Sequence, residues 1–265
     1  MTHFSPLLRR ACALAWLLAA LTARAAGLPD TGITTCYNDT VADGVAASSA
    51  SSIAKDGGTH PRQDCRYGRD PAAATGDFAK TGAGAKGLDY TKIANNGTTL
   101  TAGVALDVNP TDWACTQDNI TGLMWEVKTT TGLRSSAHTY TWYNSTASTN
   151  AGNAGTVGAG STCQTTGRCD TEKFVTDVNA ATLCSYSDWR MPSLRELLTL
   201  ALLDGTSPTI DATYFPNTFA SFCWSASSYV PNPAGAWVVS FYVGGSSAYF
   251  KSNNFAVRLV RGGQF

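Results

Sequence analysis

Few of the side chains that usually carry catalysis are available in this chain. It has three histidines: His3 near the start, His60 in a Gly- and Pro-flanked stretch, and His138 beside Tyr140 and Trp142. A Ser–His–Asp site needs a histidine held between a nucleophile and a carboxylate. His60 and His138 both have the ordinary setting of a surface or packed ring. They are also too few for a His-rich metal site. Asp188 and Glu196 invite pairing as an acid and a base. Asp188 reads as a turn residue, however, and Glu196 follows Ser193 by the spacing of a helix capping box. The glycine-rich run at 82–87 lacks Walker spacing and a Lys-Ser or Lys-Thr step, so it is no phosphate loop. These absences predict a protein that is not an enzyme and needs no cofactor or metal.

Binding chemistry is better supplied. The stretch 227–254 carries Tyr229, Asn232, Trp237, Tyr242, Tyr249, Lys251, Asn253 and Asn254. Aromatic faces stack on sugar C–H surfaces or on protein partners, and amides add adaptable hydrogen bonds at low entropic cost. Trp237 shares its period with Val239 and Phe241 and is expected in the core. Tyr242, Tyr249 and Lys251 are expected on an exposed face. Arg258 and Arg261 suit recognition of sulfate or carboxylate. They suit equally a structural pairing with Asp188 or Glu126, and the sequence leaves both readings open. The candidate ligand-binding set is Tyr229, Asn232, Tyr242, Tyr249, Lys251, Asn253, Asn254 and Arg258.

The first 26 residues read as a secretory leader. Arg9 and Arg10 precede an apolar run at 11–21, and Ala23-Arg24-Ala25 is a small-x-small cleavage site. About eleven apolar residues are too few to span a bilayer, so the mature chain is expected to be exported, with no membrane span. Beyond Cys12 stand Cys36, Cys65, Cys115, Cys163, Cys169, Cys184 and Cys223, candidates for disulfides in an oxidising compartment. Cys36 and Cys65 are expected to pair, and Cys163 and Cys169 can close a small loop. Cys115, Cys184 and Cys223 then offer one bridge and one odd thiol, in an order the sequence does not choose. Of 19 basic and 19 acidic residues, three Arg lie in the leader, which leaves 16 against 19. Nucleic-acid binding would need a basic excess and is not expected.

These residues need elements to hold them. Region 27–110 is rich in Gly, Ala, Ser and Thr and reads as loops and short strands. From 111 to 265 aromatics and aliphatics become periodic. A turn enters a strand at 121–127. One helix is predicted over 171–183, with Asp170 as N-cap and Phe174, Val178 and Ala181 on one face. A second is predicted over 194–203, opened by Ser193 and Glu196, with an apolar stripe of Leu194, Leu197, Leu198, Ala201 and Leu202. After Pro216 the period changes to two, through Trp237, Val239 and Phe241 and again through Phe255, Val257 and Leu259, with a turn at Gly244-Gly245. The order predicts an α+β domain with two helices and a twisted antiparallel sheet.

Five ordered motifs resemble one bacterial exported family. They are Leu28-Pro29-Asp30-Thr31-Gly32 followed by Cys36; Asp118-Asn119-Ile120-Thr121-Gly122-Leu123-Met124-Trp125; Ser187-Asp188-Trp189-Arg190-Met191-Pro192-Ser193; Trp224-Ser225-Ala226-Ser227; and Val257-Arg258-Leu259-Val260-Arg261-Gly262-Gly263-Gln264. The family is named for the C-terminal domain of collagen-like adhesins (Lcl) and is similar to the C-type-lectin-like and formylglycine-generating folds. The resemblance implies a lectin-like α+β domain and, since adhesin members use it on acidic polysaccharides, glycan binding. This chain departs from those relatives in three ways. It has no Gly-X-Y stalk, no acidic residue before Pro231-Asn232 of the kind calcium lectins use, and no second cysteine near Cys223 of the kind formylglycine-generating enzymes use. Residues 111–265 hold nine basic and ten acidic side chains, so a neutral ligand is as well matched as an acidic one. The expected function is recognition of an extracellular glycan or surface protein, without catalysis. A retroelement-diversified receptor and a structural envelope protein remain alternatives, and an oligomer is left open.

Overall fold

The computed structural model describes residues 30–33, 68–106, 109 and 111–263. Within them the chain is α+β, with two antiparallel sheets and three α-helices. The leader, Cys36 and Cys65 lie outside the described residues. Helix α1 (Arg69–Thr75) and strand β1 (Tyr90–Ala94) precede β2 (Trp113–Asp118) and β3 (Met124–Glu126). Helix α2 (Thr171–Ala180) and α3 (Leu194–Leu198) follow, then β4 (Phe222–Ser228), β5 (Gly235–Ser240), β6 (Ser246–Phe250) and β7 (Val260–Arg261). One sheet runs β1-β2-β3-β7 and the other β4-β5-β6. Strand β1 comes from the Gly- and Ala-rich region, yet it pairs along β2 from Tyr90↔Asp118 to Ala94↔Trp113.

The turn between β2 and β3 is built by Asp118. Its carboxylate accepts from Ile120 N at 2.9 Å and from the Thr121 hydroxyl at 2.7 Å. Gly122 closes the turn at φ 74°, a left-handed conformation that side chains resist. Asp170 caps α2 by accepting from Lys173 N at 2.9 Å. The capping box of Ser193 and Glu196 is present in full at the start of α3.

Both helices stop earlier than their apolar spacing predicts. After Ala180 the chain turns into a 3-10 segment (Leu183–Ser185), with Thr182, Cys184 and Ser185 at positive φ. Cys184 is bonded there to Cys115 of β2, so a covalent tie competes with helix propagation. Helix α3 gives way because Leu202 N bonds Thr209 O and Leu203 N bonds Thr31 O. Of the stripe, Leu197, Ala201 and Leu202 are buried and Leu194 and Leu198 partly so, while Leu200, outside the stripe, is buried as well. The predicted strand around Val257 also narrows, to β7. Phe255 and Ala256 make single bridges to Tyr140 and Cys223, and Leu259 N goes to the Glu126 carboxylate at 2.9 Å.

Two cores sandwich the second sheet. Trp224, Ala236 and Val238 face one, with Trp142, Phe174, Trp189 and Leu259. Cys223, Val239 and Phe241 face the other, with Trp125, Leu197, Phe215 and Val260. Because both faces are covered, β5 buries consecutive residues and shows no inside–outside alternation. Trp237 was expected in the core and is half-buried instead. It lies past the end of the second core, edge-on to Tyr229 at 5.2 Å between ring centroids.

Among the described residues the cysteines divide as Cys115–Cys184, Cys163–Cys169 and a free, buried Cys223. No helix among the described residues is long and apolar enough to cross a membrane.

Candidate functional site

The β4-β5-β6 sheet separates the predicted binding residues into two ends. At one end is the β4–β5 hairpin, where Tyr229 N bonds Gly235 O and Asn232 N bonds Tyr229 O. Asn232 is exposed, and its side-chain oxygen accepts from Ala234 N at 3.2 Å. Gly235 is the register partner of Phe250, the last residue of edge strand β6. Exposed Asn253 and Asn254 follow in the next turn. Tyr229, Trp237 and Asn232 therefore gather at the hairpin, and Asn253 and Asn254 lie in the turn that leaves β6 at the same end, with two exposed apolar residues the sequence did not single out, Val230 and Phe250. Phe250 is exposed because β6 has no strand beyond it among the described residues, a property of strand order that no local pattern carries.

Tyr242 lies at the opposite end, in the turn between β5 and β6, and is 65% exposed. Val243, Phe219 and Leu203 are also exposed there. Phe241 N bonds Ser221 O, which brings the 219–221 segment to this turn. Tyr249 belongs to neither surface. Its half-buried ring packs on Phe222 and Phe255, with centroids 4.8 and 5.1 Å away.

Two cations of the candidate binding set, Lys251, expected on an exposed face, and Arg258, left open, are buried. Lys251 is 2% exposed. Its ammonium donates to Asn150 O at 2.9 Å, Asn153 O at 2.6 Å and Ser228 Oγ at 3.4 Å, and lies 4.0 Å from the centre of the Trp142 ring. It pins the 150–153 turn to the sheet, and that turn is some hundred residues away in sequence. Burial pushes Lys251 down to about 8. Between that value and the usual 10.5 the unfolded chain holds a proton the folded chain has shed, so stability rises with pH across this window. The melting temperature of the wild type relative to Lys251→Met is therefore expected to climb from pH 8 to 10, and a flat difference would refute the assignment.

Arg258 is likewise 2% exposed. It donates to Glu126 O at 2.6 Å and to the Thr218 hydroxyl at 2.6 Å. Both groups are inside because the chain around them is covered on two sides. The open question about the arginines resolves toward structure: Arg258 joins the Glu126 backbone, and Arg261 pairs with Asp188 at 2.7 Å while lying 3.4 Å over Tyr186. The Arg261 hydrogen bond holds Asp188 below the usual carboxylate range. Burial alone would raise Glu196, but Arg190 at 2.6 Å and the Ser193 amide reverse the sign.

Beneath the Tyr242 end lies a charged group of which the sequence reading named only Glu126, and not its partner Lys128. Glu126 is fully buried and pairs with Lys128, also buried, at 2.7 Å. A small pocket of about 30 Å³ is lined by Lys128, Ser136, Thr218, Cys223 and Arg258 among others. The clue was Glu126-Val127-Lys128, two opposite charges at period two inside an apolar strand. His138 stands apart, with Nδ1 3.3 Å from Leu133 O and 3.5 Å from the Tyr140 hydroxyl. No group of three His, Cys, Asp or Glu side chains suited to a metal occurs among the described residues.

Residues 114–261, from β2 to β7, match the family model of the Lcl C-terminal domain. The chain belongs to the Lcl C-terminal domain family. No curated protein and no solved structure matches it. Strand β1 pairs with the Lcl domain from outside the matched span. Inside it, the tryptophans of the quoted motifs are interior anchors: Trp125, Trp189 and Trp224 are fully or almost fully buried. Trp189 Nε1 donates to Leu183 O and Trp224 Nε1 to Tyr140 O, each at 2.9 Å. The Lcl signature therefore encodes packing far more than the exposed ends of the sheet.

Proposed function

We propose that this protein is an exported, adhesin-like binding protein that recognises an extracellular glycan without catalysis. Its binding surface is the β4–β5 hairpin end of the sheet. One observation carries the reading: Tyr229 and Trp237 form an aromatic pair at the end of the sheet that also bears exposed Asn232, Asn253 and Asn254, with Val230 and Phe250 exposed there. Sugar recognition uses aromatic faces for C–H surfaces and amides for hydroxyls. Membership of the Lcl family supports an adhesin-like role. The two disulfides suit an oxidising compartment outside the cytosol.

The test is a glycan-array screen of the purified protein, with and without EDTA and at two salt concentrations. Saturable binding that survives EDTA is expected. Tyr229→Ala and Trp237→Ala should each weaken it by about tenfold or more, as central aromatic contacts do. Tyr242→Ala, at the far end, should leave it unchanged. Binding that needs divalent metal, or that ignores Tyr229 and Trp237 but falls with Tyr242, would overturn the placement. Silence on every glycan would turn the search to a surface protein.

A further inference from the structure

The interior below the Tyr242 end holds more positive than negative charge. Among the described residues Glu126 is the one carboxylate there, set against the buried Lys128 and Arg258. Lys128 takes the direct ion pair. Arg258 donates to a carbonyl and a hydroxyl, and among the described residues it makes no ion pair with a carboxylate. A cation so deeply buried is retained where an opposite charge meets it. The chain's other potential anion at this place is the Cys223 thiol. Burial pushes that thiol up to about 11, so it stays protonated and neutral at physiological pH.

The pocket beside these groups brings Lys128 and Arg258 together with the side chains of Ser136, Asn217 and Thr218. Asn217 adopts φ 57° and donates its amide to Lys128 O at 3.0 Å, which folds the 217–221 segment over the opening. A volume of about 30 Å³ accommodates roughly two water-sized occupants. It is too small for a sugar ring.

We infer that this pocket binds a small monovalent anion of halide size, held beside Arg258 and Lys128 with the Ser136 hydroxyl at its wall. The anion completes the charge balance that Glu126 alone leaves unequal. It also ties the 217–221 segment to β3 and to the chain before β7, beneath the exposed Phe219 and Tyr242. The ligand is a free ion, distinct in size and place from the glycan surface at the other end of the sheet.

The experiment replaces sodium gluconate stepwise by sodium chloride or bromide at constant ionic strength and follows thermal unfolding. A saturable rise in melting temperature is expected, about 5 °C or more once halide is in large excess over its dissociation constant. Sulfate at matched ionic strength should not reproduce it. Arg258→Gln should abolish the halide dependence while leaving the gluconate melt cooperative. A flat titration, or an equal response to sulfate, overturns the inference, as does a folded Arg258→Gln with the full halide response. If that variant does not fold, a bromide-soaked wild-type crystal decides: an anomalous peak within hydrogen-bond reach of Arg258 supports the site, and none there overturns it.

Discussion

Replacing both Cys115 and Cys184 by alanine is expected to lower stability by about 4 kcal/mol, because their bridge closes a loop with a sequence separation of 69. For a domain of this size that is a fall in melting temperature of roughly 10 °C. The bridge ties β2 to the turn after α2 and holds Cys184 and its neighbours at positive φ. Both cysteines are 0% exposed, so reductant should reach them only after local opening. The Cys163–Cys169 bridge spans only six residues and is less buried. Its loss should cost about 2 kcal/mol, and it should be the first to open under mild reductant. Denaturant melts of the two paired-alanine variants check the ranking. Equal losses, or a larger loss at Cys163–Cys169, would contradict it.

Glu126→Gln is the second change expected to be severe. The carboxylate is wholly buried, pairs with Lys128 at 2.7 Å and accepts from Leu259 N at 2.9 Å. Neutralising it strands Lys128 and Arg258 in a low-dielectric interior with no carboxylate among them. Breaking a buried pair from one side costs about 3–5 kcal/mol. The double variant Glu126→Gln, Lys128→Met removes one stranded cation along with the anion. It should therefore be more stable than the single variant by about 1–3 kcal/mol, a coupling typical of residues in one network. Urea titrations of the wild type, both singles and the double close the cycle. Simple additivity would mean that Glu126 and Lys128 do not depend on each other.

What the sequence disclosed was what neighbours along the chain decide. Ser193 and Glu196 sit three apart and form their capping box, Asp170 caps the following turn, and Cys163 finds Cys169 six residues on. The positions misjudged are those whose environment comes from far away. Lys251 follows an exposed Phe250 and reads as a solvated charge, yet the carbonyls of Asn150 and Asn153 draw it inside. Arg258 alternates with Val257 and Leu259 as an outward residue would, but both sides of that segment are covered. Trp237 shares the spacing of Val239 and Phe241 and still emerges, because the second core ends before it. Of the candidate surface, Tyr229, Asn232, Asn253 and Asn254 were named for their aromatic and amide chemistry. Phe250 and Val230 were not, since their exposure follows from strand order and hairpin position.

The burial of the motif tryptophans has a consequence for how such a domain can change its target. Trp125, Trp189 and Trp224 bind the scaffold from within, while the hairpin tip at 229–234 and the exposed turn at 252–254 hang from it. Substitutions at exposed turn positions commonly shift stability by no more than about 0.5 kcal/mol. The two segments can therefore be varied together, by selection or in a displayed library, with the interior left untouched. If the proposed binding role holds, specificity is a replaceable part, and the tryptophans that mark the family are the residues that would not meet the ligand.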